Sequence, residues 1–426
     1  MKYKCLGNDI FLLESHCKDT NIVYAPLKKK MFYAQDVSAD EIESSFENIL
    51  NNSIPKTDLE KRFVDILTTK DSKIQKHEKF GTKIDSTVLL LTEACNLACT
   101  YCYAREQHST DTITKEKLKT TIEFVLKNDS EKQHFSFIGG GEPFLKKDLL
   151  VWAVEYIRKH QKDKKITISV TTNATLLDND TAKWLSKNKI HVGCSFDILP
   201  EIQNAQRPYA SGKGSFADVK RSIDLLVKND VSFGFRSTIT RSAIETMPEM
   251  VMWVAENYSQ IRQIGLEHVS MPGLTWNNYY KDFMTYFFVT KKIAESKNIY
   301  LKNSIVFSIK SLRNRFCGGE FCITPTGDII SCHRASNDKA AAFEQFKYGI
   351  ANEKGVFVDE DKAKTVNMLY ETKRLEQCEF CFAKYHCSSQ CCNNKLTYSH
   401  QDFLELCNFT KEMVVRELED KSKRFE

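Results

Sequence analysis

No stretch of this 426-residue chain stays apolar for the 18 or so residues that crossing a bilayer requires. Met1 to Ser15 carry neither the apolar stretch nor the small-residue cleavage site of a secretory signal, so the expectation is a soluble, cytoplasmic protein. Glycine and proline are sparse, at 16 and 8 residues, which excludes collagen-like and low-complexity architectures. Neither sign of charge dominates: 61 Lys plus Arg stand against 56 Asp plus Glu, leaving +5. That small excess is spread along the chain, so neither nucleic acid nor a membrane is implied as a partner. Internal repeats are absent too. The length suggests two or three domains, each able to bury a core.

Cysteine, by contrast, is abundant. There are 15, and the segment from Cys317 to Cys407 holds nine of them. A cytosolic compartment keeps thiols reduced, so cysteines clustered at short spacings read as metal ligands rather than disulfides.

From Asp85 to about Glu295, short β-rich runs such as STVLLLTEA, HFSFIGG, KITISVTT and HVGCSFD alternate with amphipathic stretches such as KEKLKTTIEFVLK and FADVKRSIDLLVK. Six strand–helix units in series predict an α/β fold with a parallel sheet, an open or closed barrel whose chemistry sits at the strands' C-terminal ends. Residues 1–84 read as a separate α+β module of three strands and two helices, the first helix capped by Ser38 or Asp40. Asp71 to Lys83 is polar and reads as a linker. After about Asn303 the helical pattern fades, and a segment this poor in apolar residues requires another source of stability.

The first predicted barrel strand ends in CNLACTYC, which places Cys95, Cys99 and Cys102 in a C-x3-C-x2-C array. Three thiolates cannot complete a tetrahedral zinc site or all four irons of a cubane, so one coordination position stays open for a small molecule. A structural zinc site completed by His108 is the alternative.

This loop, with Tyr101 before its third cysteine, resembles the signature of the radical S-adenosylmethionine (SAM) enzymes. The resemblance implies a [4Fe-4S] cluster on the three cysteines, with SAM chelating the fourth iron. It extends to GGGEP on the second strand, where Gly140, Gly141, Glu142 and Pro143 match the turn that meets the SAM amino group. It also extends to TTNATL on the third strand, with Asn173 implied at the ribose and Ala174 in place of the usual glycine. SFD on the fourth strand implies a contact from Ser195 to the SAM carboxylate, and QRPYASGKGSF implies a clamp on that carboxylate by Arg207.

The later cysteines fall as Cys317-x4-Cys322-x9-Cys332, then Cys378-x2-Cys381-x5-Cys387-x3-Cys391, then Cys407. This is similar to the SPASM extension of peptide-modifying radical SAM enzymes. The resemblance implies two auxiliary [4Fe-4S] clusters, one on Cys317, Cys322, Cys332 and Cys391 and one on Cys378, Cys381, Cys387 and Cys407. The whole is then a partial (β/α)6 TIM-type barrel at 85–303, a SPASM domain at 304–426 and the N-terminal module at 1–84. Two four-thiolate zinc sites are the alternative for the C-terminal part. Cys5, Cys17, Cys194 and Cys392 lie outside the pattern.

The implied activity is reductive cleavage of SAM to a 5'-deoxyadenosyl radical and hydrogen abstraction from a ribosomally made precursor peptide, leaving a C–C, C–S or C–O crosslink. SAM and three [4Fe-4S] clusters are the implied cofactors, and a reductase such as flavodoxin or ferredoxin the implied electron donor. Sulfatase-maturing relatives carry aspartate directly after the cysteine matching Cys332. His333 stands there instead, followed by Arg334, which disfavours formylglycine formation and makes His333 the candidate catalytic base. Tyr103, His108, Glu267 and His268 are further candidates. Residues 1–84 faintly resemble a winged-helix element that binds leader peptides by strand addition. A sulfatase-type or small-molecule dehydrogenase on the same scaffold and a non-catalytic zinc-binding interaction protein remain the alternatives.

Overall fold

The computed structural model describes residues 2–76, 83–271, 278–371, 373 and 375–422. Four strands open the chain, β1 (Tyr3–Gly7), β2 (Ile10–Glu14), β3 (Thr20–Ala25) and β4 (Lys30–Gln35), forming an antiparallel meander in that order. Three of these strands are the predicted ones. The additional β1 pairs with β2 through a register shift between Cys5 and Gly7, an irregularity that breaks the simple alternation by which a strand is read. Two helices follow, Ala39–Leu50 capped by Ser38 and Asp58–Thr68 opened by a Thr57–Glu60 capping box.

Alternation along β2 and β3 sends side chains to two different cores. Ile10, Leu12 and Val23 pack with Phe46 and Phe63 of the module's own helices. Phe11, Leu13, Ile22 and Tyr24 face the opposite way into the main core. There Tyr3 and Phe11 lie edge-on to Phe382, and the Tyr24 hydroxyl is 2.5 Å from His386 Nε2. The expected linker is tied down where it is described, through backbone bonds from Ser72 to Leu27 and from Gln75 to Leu312. Its residues 77–82 lie outside the described residues.

The six predicted barrel strands are present as β5 (Ser86–Leu89), β6 (Lys132–Phe137), β7 (Lys165–Thr172), β8 (His191–Ser195), β9 (Phe233–Ile239) and β10 (Gln263–His268). All neighbours among them are parallel, with helices between successive strands. A seventh parallel strand, β11 (Tyr300–Lys302), continues beyond β10 after the helix Tyr279–Ser296. The sheet does not close on itself, so the barrel is partial.

The expectation that the chain after Asn303 lacks apolar support is corrected here. Strands β12 (Phe321–Ile323), β13 (Asp328–Ile330), β14 (Lys347–Asn352) and β15 (Gly355–Val358) extend the same sheet from its β5 edge, giving eleven strands. β12 runs parallel to β5, and its residues Phe321, Cys322 and Ile323 are buried in the same core as Val88 and Leu89. Strands of three residues are too short to show a period, which is why the sequence pattern misses them. The helix His400–Ser422 closes the chain. Among the described residues, no helix is long and apolar enough to cross a membrane.

Candidate active site

The loop after β5 is held from two sides at the C-terminal end of the sheet. On one side, Gly141 N–H donates to the Thr92 carbonyl (2.9 Å) and Glu142 N–H to that of Ala94 (2.8 Å). On the other, Ala98 N–H donates to the Pro208 carbonyl (2.8 Å) and Thr100 N–H to that of Gln206 (2.9 Å). Cys95, Cys99 and Cys102 are thereby set close enough together for the charge of Cys102 to act on both of its partners. Burial pushes the Cys95 thiol up to about 12 and raises those of Cys99 and Cys102. The Arg207 charge works against burial at the last two.

Glycine is obligatory beside this loop. A Cβ on Gly141 would stand 1.8 Å from the Ala94 carbonyl oxygen, and Gly139 and Gly140 adopt φ of +89° and +61°, a region costly to other residues. Gly141→Ala is therefore expected to push the two loops apart. In reconstituted protein, iron should fall by about four per chain, as one four-iron cluster fails to assemble. Unchanged iron would show that the close approach does not matter.

Pro143 follows the glycines and opens a single turn of 3-10 helix. Glu142 is buried and accepts three hydrogen bonds, from Thr172 Oγ1 (2.6 Å) and Phe144 N–H (3.1 Å) at Oε1 and from Asn173 N–H (2.7 Å) at Oε2. Burial raises its pKa to about 6 despite those donors. It fastens the end of β6 to the end of β7. Asn173 is similarly occupied: its amide donates to Asn96 Oδ1 (2.9 Å) and lies 4.0 Å from Cys95 Sγ, while its carbonyl accepts from Thr175 N–H and Oγ1. All four hydrogen-bonding valences of this side chain are taken. Asn173 thus braces the thiol loop. Ala174 next to it sits at φ 59°, the left-handed region in which glycine is the easier residue.

A residue without an assigned role in the sequence organises the other side. Asp197 is fully buried, and its Oδ2 accepts from the Tyr101 hydroxyl (2.6 Å), Gln206 Nε2 (2.7 Å) and Arg207 Nε (3.0 Å). Its Oδ1 accepts from Ser237 Oγ and Thr238 N–H. Arg207 also lies over the Tyr101 ring at 5.1 Å. Burial opposes the Arg207 charge, yet Asp197 holds it firmly protonated. Tyr101 and Arg207 are therefore pre-set by one carboxylate, a fivefold convergence that no local spacing could reveal. Ser195 ends β8, half-buried and in register with Arg236.

Eight of the remaining twelve thiols fall into two groups. Burial, and after it the nearby charge of Cys391, raises the Cys332 thiol, Cys317 also acts on Cys332, and Cys322 in β12 feels the Cys332 charge. Cys378, Cys381, Cys387 and Cys407 line one cavity of 180 Å³. Tyr3 of β1 hydrogen-bonds Cys381 there, so the N-terminal module contributes to this site. Among the described residues, no three Cys, His, Asp or Glu side chains are gathered tightly enough to hold a single metal ion. His108 Nε2 comes within 4.0 Å of Cys102 Sγ, but the triad and His108 do not form such a site.

Residues 89–253 match the family model of the radical SAM superfamily. That segment, from the end of β5 through β9 and into the helix after it, is the part of the chain that the superfamily model describes. The cysteine-type anaerobic sulfatase-maturating enzyme of Clostridium perfringens is 31% identical over 172 residues, which span 39% of this chain and 46% of that enzyme. The solved structure of native anSMEcpe with bound AdoMet shares the fold at a TM-score of 0.65 and 21% identity, covering 80% of this chain and 100% of that one. Streptococcus suis SuiB bound to precursor peptide SuiA covers 92% of this chain and 96% of its own, with a TM-score of 0.57 and 15% identity. Over residues 89–253 the chain thus carries a radical SAM domain, and part of it is related in sequence to sulfatase-maturating enzymes, while its fold is shared with anSMEcpe and SuiB.

The residues of the radical SAM site fit the group it implies. Three half-buried thiols that are hard to ionise alone, beside a permanent cation that favours their ionised form and a glycine cradle, suit thiolate ligation of an iron–sulfur cluster. The other candidates divide clearly. Glu267 is occupied by Ser304 N–H and Asn303. His268 packs against Tyr280, Phe283 and Phe409 with Nδ1 buried and unpartnered, and burial lowers its pKa to about 4. His333 stands over the glycine turn, its Cδ2 only 3.2 Å from where a Gly139 Cβ would be, with its ring edge toward Tyr103. Its Nδ1 donates to Glu320 (2.8 and 2.9 Å), whose carboxylate also accepts His333 N–H. Glu320 lies outside every motif in the sequence, and only its pairing across β12 and the turn after β13 brings it to His333.

Proposed function

We propose that this enzyme matures a ribosomally made peptide by an oxidative crosslink between carbon and carbon, sulfur or oxygen. The observation that carries the reading is the placement of His333 between the Cys95–Cys99–Cys102 triad and the thiol group that contains its neighbour Cys332. SAM and a [4Fe-4S] cluster, when bound, supply a 5'-deoxyadenosyl radical able to take hydrogen from an unactivated carbon.

This chain's residues do the rest. Cys95, Cys99 and Cys102 would hold that cluster, and Gly140, Gly141, Glu142 and Pro143 shape the turn against which SAM lies. Arg207, fixed by Asp197, and Ser195 would address the SAM carboxylate. His333, oriented by Glu320, would take the proton released as the new bond forms. Loss of two hydrogens balances as one hydrogen atom to the deoxyadenosyl group, one proton to the base and one electron to an auxiliary centre.

Cys317, Cys322, Cys332 and Cys391 would hold one such centre, with Cys378, Cys381, Cys387 and Cys407 holding a second. A flavodoxin- or ferredoxin-type reductase would supply the starting electron. The 1–84 module would present the peptide, an assignment supported by the peptide-bound SuiB structure, which spans nearly the whole chain. The 85–303 and 304–426 regions would generate and quench the radical.

Sulfatase-type oxidation of a Cys or Ser side chain is the second reading, favoured by the structural likeness to anSMEcpe. Anaerobic co-expression with candidate precursor peptides, followed by mass spectrometry, separates the two. A crosslinked product lacking two hydrogens is expected, with 5'-deoxyadenosine formed from SAM and dithionite. Formylglycine in a sulfatase peptide would favour the second reading, and no 5'-deoxyadenosine would exclude both.

A further inference from the structure

Arg334 occupies the space between the first thiol triad and the second thiol group, and nothing above gives it a task. Its guanidinium lies over the ring of Tyr103, the residue after Cys102, at 5.4 Å. Nη1 donates to Asn394 Oδ1 at 2.9 Å and points to Cys391 Sγ at 3.8 Å, while Nη2 donates to the Ser270 carbonyl at 3.2 Å. Three separate parts of the chain therefore hold this planar fork in one orientation. A lysine could not reproduce that, because its ammonium is a single flexible point charge.

A fixed positive charge and an N–H donor directed at a ligating sulfur both favour the more negative, reduced form of an iron–sulfur centre. We propose that Arg334 is a positioning and tuning residue that raises the reduction potential of a cluster held by Cys317, Cys322, Cys332 and Cys391, making that cluster the electron acceptor. The proposal rests on the maturase reading above, in which an electron leaves the substrate radical. The step it governs is a one-electron transfer: the substrate radical is oxidised, the acceptor is reduced, and the proton leaves separately to His333.

The test is spectroscopic and independent of turnover. Anaerobically reconstituted wild-type, Arg334→Gln and Arg334→Lys proteins are titrated by EPR-monitored potentiometry. In Arg334→Gln, one of the cluster midpoints should fall so that the reduced-to-oxidised ratio at the wild-type midpoint drops at least tenfold, about 59 mV for a one-electron couple. In Arg334→Lys the same midpoint should fall by less, and the cluster on Cys378, Cys381, Cys387 and Cys407 should not move. Unchanged midpoints with full iron content would overturn the proposal. So would variants that lose iron without shifting any remaining midpoint, since Arg334 would then be merely structural. Wild-type protein carrying only about four irons per chain would remove the maturase reading itself, and this proposal with it.

Discussion

Replacing Cys99 by alanine is expected to reduce 5'-deoxyadenosine formation to the level of a protein-free control and to remove about four irons per chain. Cys99 sits within the triad, raised by burial and drawn back by Arg207. Two remaining thiols cannot attach a cubane while leaving only one iron available to SAM. Anaerobic reconstitution, iron analysis and chromatography of the SAM-cleavage products check this directly. Cys17→Ala, at an exposed thiol outside the three groups, should keep both iron and cleavage. Undiminished cleavage by the Cys99 variant would mean that radical generation does not depend on this loop.

His333→Gln is expected to separate the two halves of the reaction. SAM cleavage should continue, since no triad ligand is touched, whereas crosslinked peptide should fall by roughly 10²- to 10⁴-fold, the usual contribution of a positioned base. The carboxylate of Glu320 accepts from Nδ1, which leaves Nε2 as the acceptor of the neutral ring. Glu320→Gln should therefore give an intermediate loss, because an amide oxygen can still accept from Nδ1–H but adds no charge to stabilise the protonated ring. Quantifying 5'-deoxyadenosine and modified peptide in the same reaction distinguishes uncoupling from general inactivation. Product at the wild-type rate from His333→Gln would assign the base elsewhere.

The sequence discloses the barrel because its strands and helices are long enough to show their periods, and it discloses the first site because the ligands are three cysteines within eight residues. The first two C-terminal strands are hidden by their brevity. β12 and β13 have three residues each, and their burial depends on meeting β5, a contact that local pattern does not encode. Asp197 and Glu320 are hidden for a related reason. A carboxylate that orients another side chain has no spacing rule of its own, and its role emerges only when Tyr101, Gln206 and Arg207, or His333, arrive beside it. Asn173 is the reverse case: its segment is legible, but its hydrogen bonds turn inward to Asn96 and Thr175.

The parallel pairing of β12 with β5 also orders events during synthesis. On the ribosome, the β5 edge must wait, unpaired, until Phe321–Ile323 emerges far downstream, and such an edge invites pairing with other chains. A truncation ending before Phe321 should accordingly aggregate rather than yield a soluble barrel. A cluster on Cys317, Cys322, Cys332 and Cys391, as proposed, would have its full set of ligands only once Cys391 had been made, so its assembly would be coupled to late translation.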